Sequence, residues 1–153
     1  MEKRKLSPEE VAFLGMSTNH EQMPNAEYRL RLMCADGSGY IRTVAGPKGE
    51  WQNSHYHTGV REFIAVQTGW IAIAEFRDGQ LVIRVLSAGA FIVSEPNVHH
   101  NVYMSARTVT HCVKFGDTAA EKASGKADWH ASHEVDRLTK HLPEDEILSI
   151  AVE

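Results

Sequence analysis

The sequence predicts an all-β fold, an antiparallel sandwich or barrel, on three observations. Short strand-like runs follow one another from about residue 28 to residue 116, hairpin turn signals separate them, and no long helical pattern intervenes to build βαβ units. A chain of 153 residues is the size of one compact domain and can bury a real core.

The elements follow in order. "SPEEVAFLG" reads as a short helix: Ser7 caps it, Pro8 suits its first turn, Glu10 completes a capping box and Gly15 ends it. A polar stretch runs through Pro24. The pattern then changes to period two in "YRLRLM", a half-buried strand with Tyr28, Leu30 and Leu32 on one face and Arg29 and Arg31 on the other. "DGSG" separates this strand from "YIRTV", and "GPKGE" precedes a histidine-rich segment. "RDGQ" joins "WIAIAEF" to "LVIRVL" as an Asp-Gly hairpin. "FIV", "VHHNVYM" and "TVTHCVKF" complete the series.

Beyond Asp117 the character changes. "DTAAEKASGKADW" reads as a surface loop, "SHEVDRLTKHL" as a helix with Val135, Leu138 and Leu142 at helical spacing, and "PEDEILSIAV" as a helical or extended tail. The resulting organisation is an N-terminal extension with a short helix (1–27), a β-barrel (28–116) and a C-terminal loop and helical tail (117–153), the two ends packing outside the β-domain.

Composition narrows the function classes. Sixteen basic residues against 20 acidic ones give a net charge of -4, which offers no broad footprint for nucleic acid or an anionic membrane. Cys34 and Cys112 are too few for a disulfide framework and form no Cys-x-x-Cys pair, so a reduced, cytoplasmic setting is expected. The basic start "MEKRK" is followed by no apolar stretch of signal-peptide length, and nowhere do about 18 apolar residues run together as a membrane span requires. "HEVDRLTKH" is not a zinc-protease motif, because Arg137 stands where the second histidine belongs. Trp51, Trp70 and Trp129 read as packing residues, with Trp51 the candidate lid at a barrel mouth.

The chemistry concentrates in "SHYHTGVREF", residues 54 to 63. Residues i and i+2 of a strand share a face, so His55 and His57 set two imidazoles side by side. Glu62 lies at odd spacing from both and rejoins them only if "TGVR" turns or bulges, which Gly59 makes cheap. Two imidazoles and a carboxylate are a ligand set suited to one divalent iron, manganese, nickel, zinc or copper ion.

"HYHTGVREFIAVQTG" resembles the first signature of the cupin superfamily: His55, one residue, His57, four residues, Glu62, six residues, Gly69. "GAFIVSEPNVHHNVYM" is similar to the second signature, although no glycine follows two residues after Pro96 and two histidines are adjacent. Adjacent strand residues face opposite ways, so one of His99 and His100 enters the barrel. The looser spacing of the second motif selects His100. The resemblance, over roughly residues 28 to 116, implies a jelly-roll barrel, to which the local patterns add the short helical extensions; it also implies a metal site of His55, His57, Glu62 and His100, a small-molecule substrate in the barrel mouth, and a homodimer.

His111 shares a strand face with Val109, Val113 and Phe115. On an inward face it is either a hydrogen-bonded core residue or, as the candidate catalytic residue, a substrate contact or proton shuttle. Cys112 then points away. A metal with open positions supports isomerase or epimerase chemistry on a sugar-like or hydroxy-carbonyl compound, the expectation placed first, or a non-haem iron dioxygenase. A non-catalytic module that binds or senses a small ligand through the metal is the contrasting reading. Arg42, Arg61 and Arg84 are scattered and mark no phosphate site.

Overall fold

A computed structural model describes residues 3–119 and 124–152. Two mainly antiparallel sheets face each other. The first has the order β1 (Met16–Gln22), β2 (Tyr28–Cys34), β3 (Gly39–Val44), β11 (Val109–Gly116), β6 (Val60–Thr68), β9 (Phe91–Ser94). The second runs β12 (His130–Ala131), β5 (His55–Tyr56), β10 (His99–Met104), β7 (Trp70–Arg77), β8 (Gln80–Ser87), with β4 (Glu50–Trp51) also pairing with β10. This is the expected all-β jelly roll.

Local chemistry explains the turns. Asp78 and Gly79 both take positive φ, 52° and 78°, which is the two-residue turn that a right-twisted hairpin prefers between β7 and β8. Ser7 and Glu10 form the expected capping box, Glu10 N–H donating to Ser7 Oγ at 3.2 Å and Ser7 N–H to Glu10 Oε2 at 2.8 Å, and helix α1 spans Pro8–Phe13.

The core lies between the sheets, where Ile64 and Val66 of β6 meet Ile71 and Ile73 of β7 and Val102 and Met104 of β10. A second cluster covers the outer face of the second sheet. Ala72, Ala74, Ile83 and Tyr103 pack there against Leu142 and Ile147, which arrive with helices α2 (His133–Thr139) and α3 (Glu144–Ile150). In α2 the buried side chains are Val135 and Thr139, whereas Leu138 is exposed. Thr139 goes inward because its hydroxyl accepts from Asn101 Nδ2 at 2.9 Å and donates to the Val135 carbonyl at 2.7 Å. No helix among the described residues is long and apolar enough to cross a membrane.

Three sequence expectations are corrected. The polar stretch before Pro24 contains β1, which pairs along its whole length with β2 from Met16–Cys34 to Gln22–Tyr28. Its side chains are mostly exposed, so no apolar alternation announced it. In β2 the arginines, not the apolar residues, face the barrel interior: Arg29 and Arg31 line a cavity while Tyr28 and Leu32 are exposed. The cavity is water-accessible rather than packed, and Glu27 and Glu21 pair with the two guanidinium groups.

The third correction concerns His111. β11 pairs with β6 so that Thr110, Cys112 and Lys114 sit beside the inward residues Val66, Ile64 and Glu62. His111 therefore faces out of the barrel. There Tyr40 Oη and Gln67 Oε1 hydrogen-bond its two ring nitrogens, each at 2.7 Å. Cys112, expected to point away, lines the cavity.

Candidate metal centre

β5, between β12 and β10 in the second sheet, carries His55, His57 follows directly after its end, and β10 places His100 directly opposite His55. After His57 the chain turns at Thr58 and Gly59, and β6 begins at Val60 in the other sheet, so Glu62 returns to the histidines across the barrel. Gly59 is required here by a close approach rather than by an unusual φ: a Cβ would collide with the backbone carbonyl of Asp117. The N–H of Asp117 donates to the Gly59 carbonyl at 3.1 Å, which holds the two segments together.

The four side chains converge. One ligand atom from each of His55, His57, Glu62 and His100 lies within 4.8 Å of all the others. Glu62 Oε1 is 3.4 Å from His57 Nε2, and Oε2 is 3.9 Å and 3.8 Å from Nε2 of His55 and His100. The Nδ1 atoms are committed to backbone carbonyls: His55 to Asn53 at 3.0 Å, His100 to Val98 at 2.9 Å, and His57 to Asp128. Each Nδ1 then carries the proton, and each Nε2 presents a lone pair to the centre.

The donor set fits a metal ion. Nε2 of His57 and of His100 are buried and have no hydrogen-bond partner. Buried polar nitrogens without partners are costly, and a shared cation satisfies both at once.

The electrostatics agree. Burial opposes ionisation of Glu62, but the imidazoles of His100 and His57 outweigh it and hold the carboxyl well below its usual range. Burial lowers His55, reinforced by the charge of His100, to about 4, so His55 stays neutral and able to ligate at neutral pH. In His100 burial opposes protonation, but the neighbouring Glu62 carboxylate outweighs it and raises the pKa; a cation held at Nε2 would take the place of that proton.

The C-terminal segment completes the site, which the reading of 117–129 as a surface loop missed. Residues 120–123 of that loop lie outside the described residues, but Ala127 and Trp129 line the cavity. The Asp128 carboxylate accepts the N–H groups of Thr58, Gly59 and Val60 at 2.8 to 3.0 Å and the Thr58 hydroxyl at 2.9 Å. These bonds outweigh its desolvation and keep it ionised far below the ordinary range. Trp129 stacks on His55 with centroids 5.4 Å apart. Trp51, expected as a lid, instead packs on Tyr103 and donates its indole N–H to the Leu142 carbonyl at 3.2 Å. His99 leaves the centre: it stacks on Tyr56, and its Nδ1 hydrogen-bonds Ser132 Oγ at 2.7 Å.

The four-residue group opens on a cavity of about 380 Å³, lined by His55, Glu62, Ile64, Val102, Met104 and Trp129 among others. Arg61 and Arg84 lie away from it, paired with Glu95 and Glu75, each at 3.0 Å. The cations that do reach the cavity are Arg29, Arg31 and Lys114. Strand register decides which face they take, and the sequence pattern alone carried no signal for it.

No protein-family model matches the chain, and no curated protein matches it in sequence. Solved structures match its fold. A deletion mutant of Bacillus subtilis oxalate decarboxylase OxdC superposes with a TM-score of 0.59 at 13% identity, over 87% of this chain and 34% of that one. The chain thus spans about a third of the length of that protein. The Fe(II) form of HppE gives 0.51 at 16% identity, over 65% of this chain and 56% of its own. The Drosophila melanogaster CENP-C cupin domain gives 0.51 at 15% identity, over 65% and 76%, and CENP-C is also seen bound to CAL1. The structural neighbours are cupin-fold proteins, and this chain has the cupin fold with a His-His-Glu-His group that fits a cupin metal site.

Proposed function

We propose that the chain is a metal-dependent enzyme acting on a small polar metabolite in the barrel cavity, with isomerase- or epimerase-type proton transfer on a hydroxy-carbonyl compound as its chemistry. The observation that carries this reading is the convergence of two buried and unpartnered Nε2 atoms, of His57 and His100, with His55 and Glu62, which line the cavity. A divalent ion bound there supplies Lewis-acid stabilisation of negative charge developing on a substrate oxygen. His55, His57, His100 and Glu62 would hold it, oriented by the carbonyls of Asn53, Asp128 and Val98. Ile64, Val102, Met104 and Trp129 exclude water from the carbon skeleton.

One observation favours a dioxygenase as the second reading. Outside the four ligands, the titratable groups lining the cavity are Arg29, Arg31, Cys112 and Lys114, and burial pushes the Cys112 thiol far above its ordinary range. Among the described residues the cavity therefore offers no carboxylate or imidazole base outside the four candidate ligands. The experiment is a metabolite panel on protein loaded in turn with Zn²⁺, Mn²⁺ and Fe²⁺. Solvent-deuterium incorporation without oxygen uptake supports isomerisation, and oxygen uptake with Fe²⁺ alone supports the dioxygenase. Binding with neither response overturns both in favour of a ligand-holding module.

A further inference from the structure

We infer that the compound taken by this cavity is a small organic acid whose carboxylate is held by Lys114 while another of its oxygens reaches the metal centre, an inference that rests on the metal reading above. Lys114 stands directly opposite Glu62 across the β11–β6 ladder, so both side chains enter the barrel. Cross-strand partners carry Cβ atoms about 5 Å apart, a separation that one small molecule can bridge. Lys114 is 8% exposed and lines the cavity.

Among the described residues its ammonium group has no hydrogen bond or ion pair. The partners of Glu62 are the three histidines, and those of Glu21 and Glu27 are Arg31 and Arg29. The Lys114 Nζ is not sealed from water but opens on the cavity, so the charge is placed to receive an anionic ligand from that side.

The charge balance points the same way. Arg29 and Arg31 arrive already neutralised, so they stiffen the wall without adding charge. A divalent cation more than balances the single charge of Glu62, and Lys114 adds to the surplus. A cavity with excess positive charge and low-dielectric walls selects an anion. Its other walls, Ile41, Ile64, Val102 and Met104, suit a short carbon skeleton. The plainer role for Lys114 is a stem packed on apolar surface with its head reaching water at the mouth. That role gives no preference for acids.

The test is calorimetric titration of Zn²⁺-loaded protein with glycolate, lactate and malonate and with their neutral amides glycolamide, lactamide and malonamide. At least one acid should bind about tenfold or more tightly than its own amide, as expected for a charge-assisted contact. Lys114→Met and Lys114→Gln should both abolish that preference and leave amide binding and Zn²⁺ stoichiometry unchanged. Wild-type protein without an acid preference, or variants that keep it, overturns the inference. Zn²⁺ stoichiometry is read separately. Protein that takes up no ion defeats the metal reading, and the acid–amide comparison on apoprotein then decides Lys114 alone.

Discussion

Asp128→Asn is the perturbation whose consequences follow most directly from the geometry. One carboxylate oxygen accepts the Gly59 and Val60 N–H groups at 2.9 and 3.0 Å, and the other accepts the Thr58 N–H at 2.8 Å and the Thr58 hydroxyl at 2.9 Å. An amide supplies only one acceptor oxygen and turns its NH2 toward donors on the other side. With the NH2 toward Gly59 and Val60 two charge-assisted bonds are lost, and with it toward Thr58 one is lost, because the hydroxyl can then accept. At about 1.5–3 kcal/mol each, with the charge removed from the bonds that remain, the cost is about 2–6 kcal/mol. For a chain of this length that lowers the melting temperature by several degrees or more. The same loop carries His57, whose Nδ1 is held by the Asp128 carbonyl, so metal affinity should fall about 10- to 100-fold. Differential scanning calorimetry and chelator competition read the two effects. A variant within about 1 kcal/mol of wild type with unchanged metal affinity would refute the clamp.

Three further outcomes are expected. Gly59→Ala should destabilise the fold by about 1–3 kcal/mol in urea titration, because the new Cβ meets the Asp117 backbone, which has no rotamer to yield; wild-type stability would show that the segments are not closely packed. The folded-state pKa of Asp128 is depressed, so its contribution is complete above the ordinary carboxylate value of about 4 and is lost as pH falls through the folded value. The stability gap between wild type and Asp128→Asn should therefore be flat from pH 7 to about 5 and shrink in stronger acid, whereas a gap that widens on acidification contradicts the assignment. Iodoacetamide at neutral pH should label Cys34 well before Cys112, whose buried thiol is held protonated; equal rates, followed by peptide mass spectrometry, would contradict the cavity description.

The fold class and the grouping of His55, His57, Glu62 and His100 were legible in the sequence, the first through short-range rules and the second through those rules together with the resemblance to the two cupin signatures. Turn chemistry at Asp78–Gly79, the capping box at Ser7–Glu10 and the two-residue spacing of His55 and His57 each need only a few neighbours to act. What escaped depends on long-range register. The alternation in "TVTHCVKF" offers two faces, His111 with Val113 or Cys112 with Lys114, and only the pairing of Lys114 with Glu62 chooses between them. The same holds for β2, where apolar residues took the outer face because the interior at that end is a cavity and not a packed core. Asp128 and Trp129 escaped for a related reason. They sit in a polar segment without periodicity, and their role comes from docking on residues about seventy positions earlier.

The central claim is tested most directly by measuring metal uptake. Apoprotein dialysed against Zn²⁺ or Mn²⁺ should retain one ion per chain by elemental analysis, with X-ray absorption showing imidazole nitrogen and carboxylate oxygen neighbours, and His57→Ala should lose most of it. No retained ion in the wild-type protein, or full retention in His57→Ala, would contradict the account.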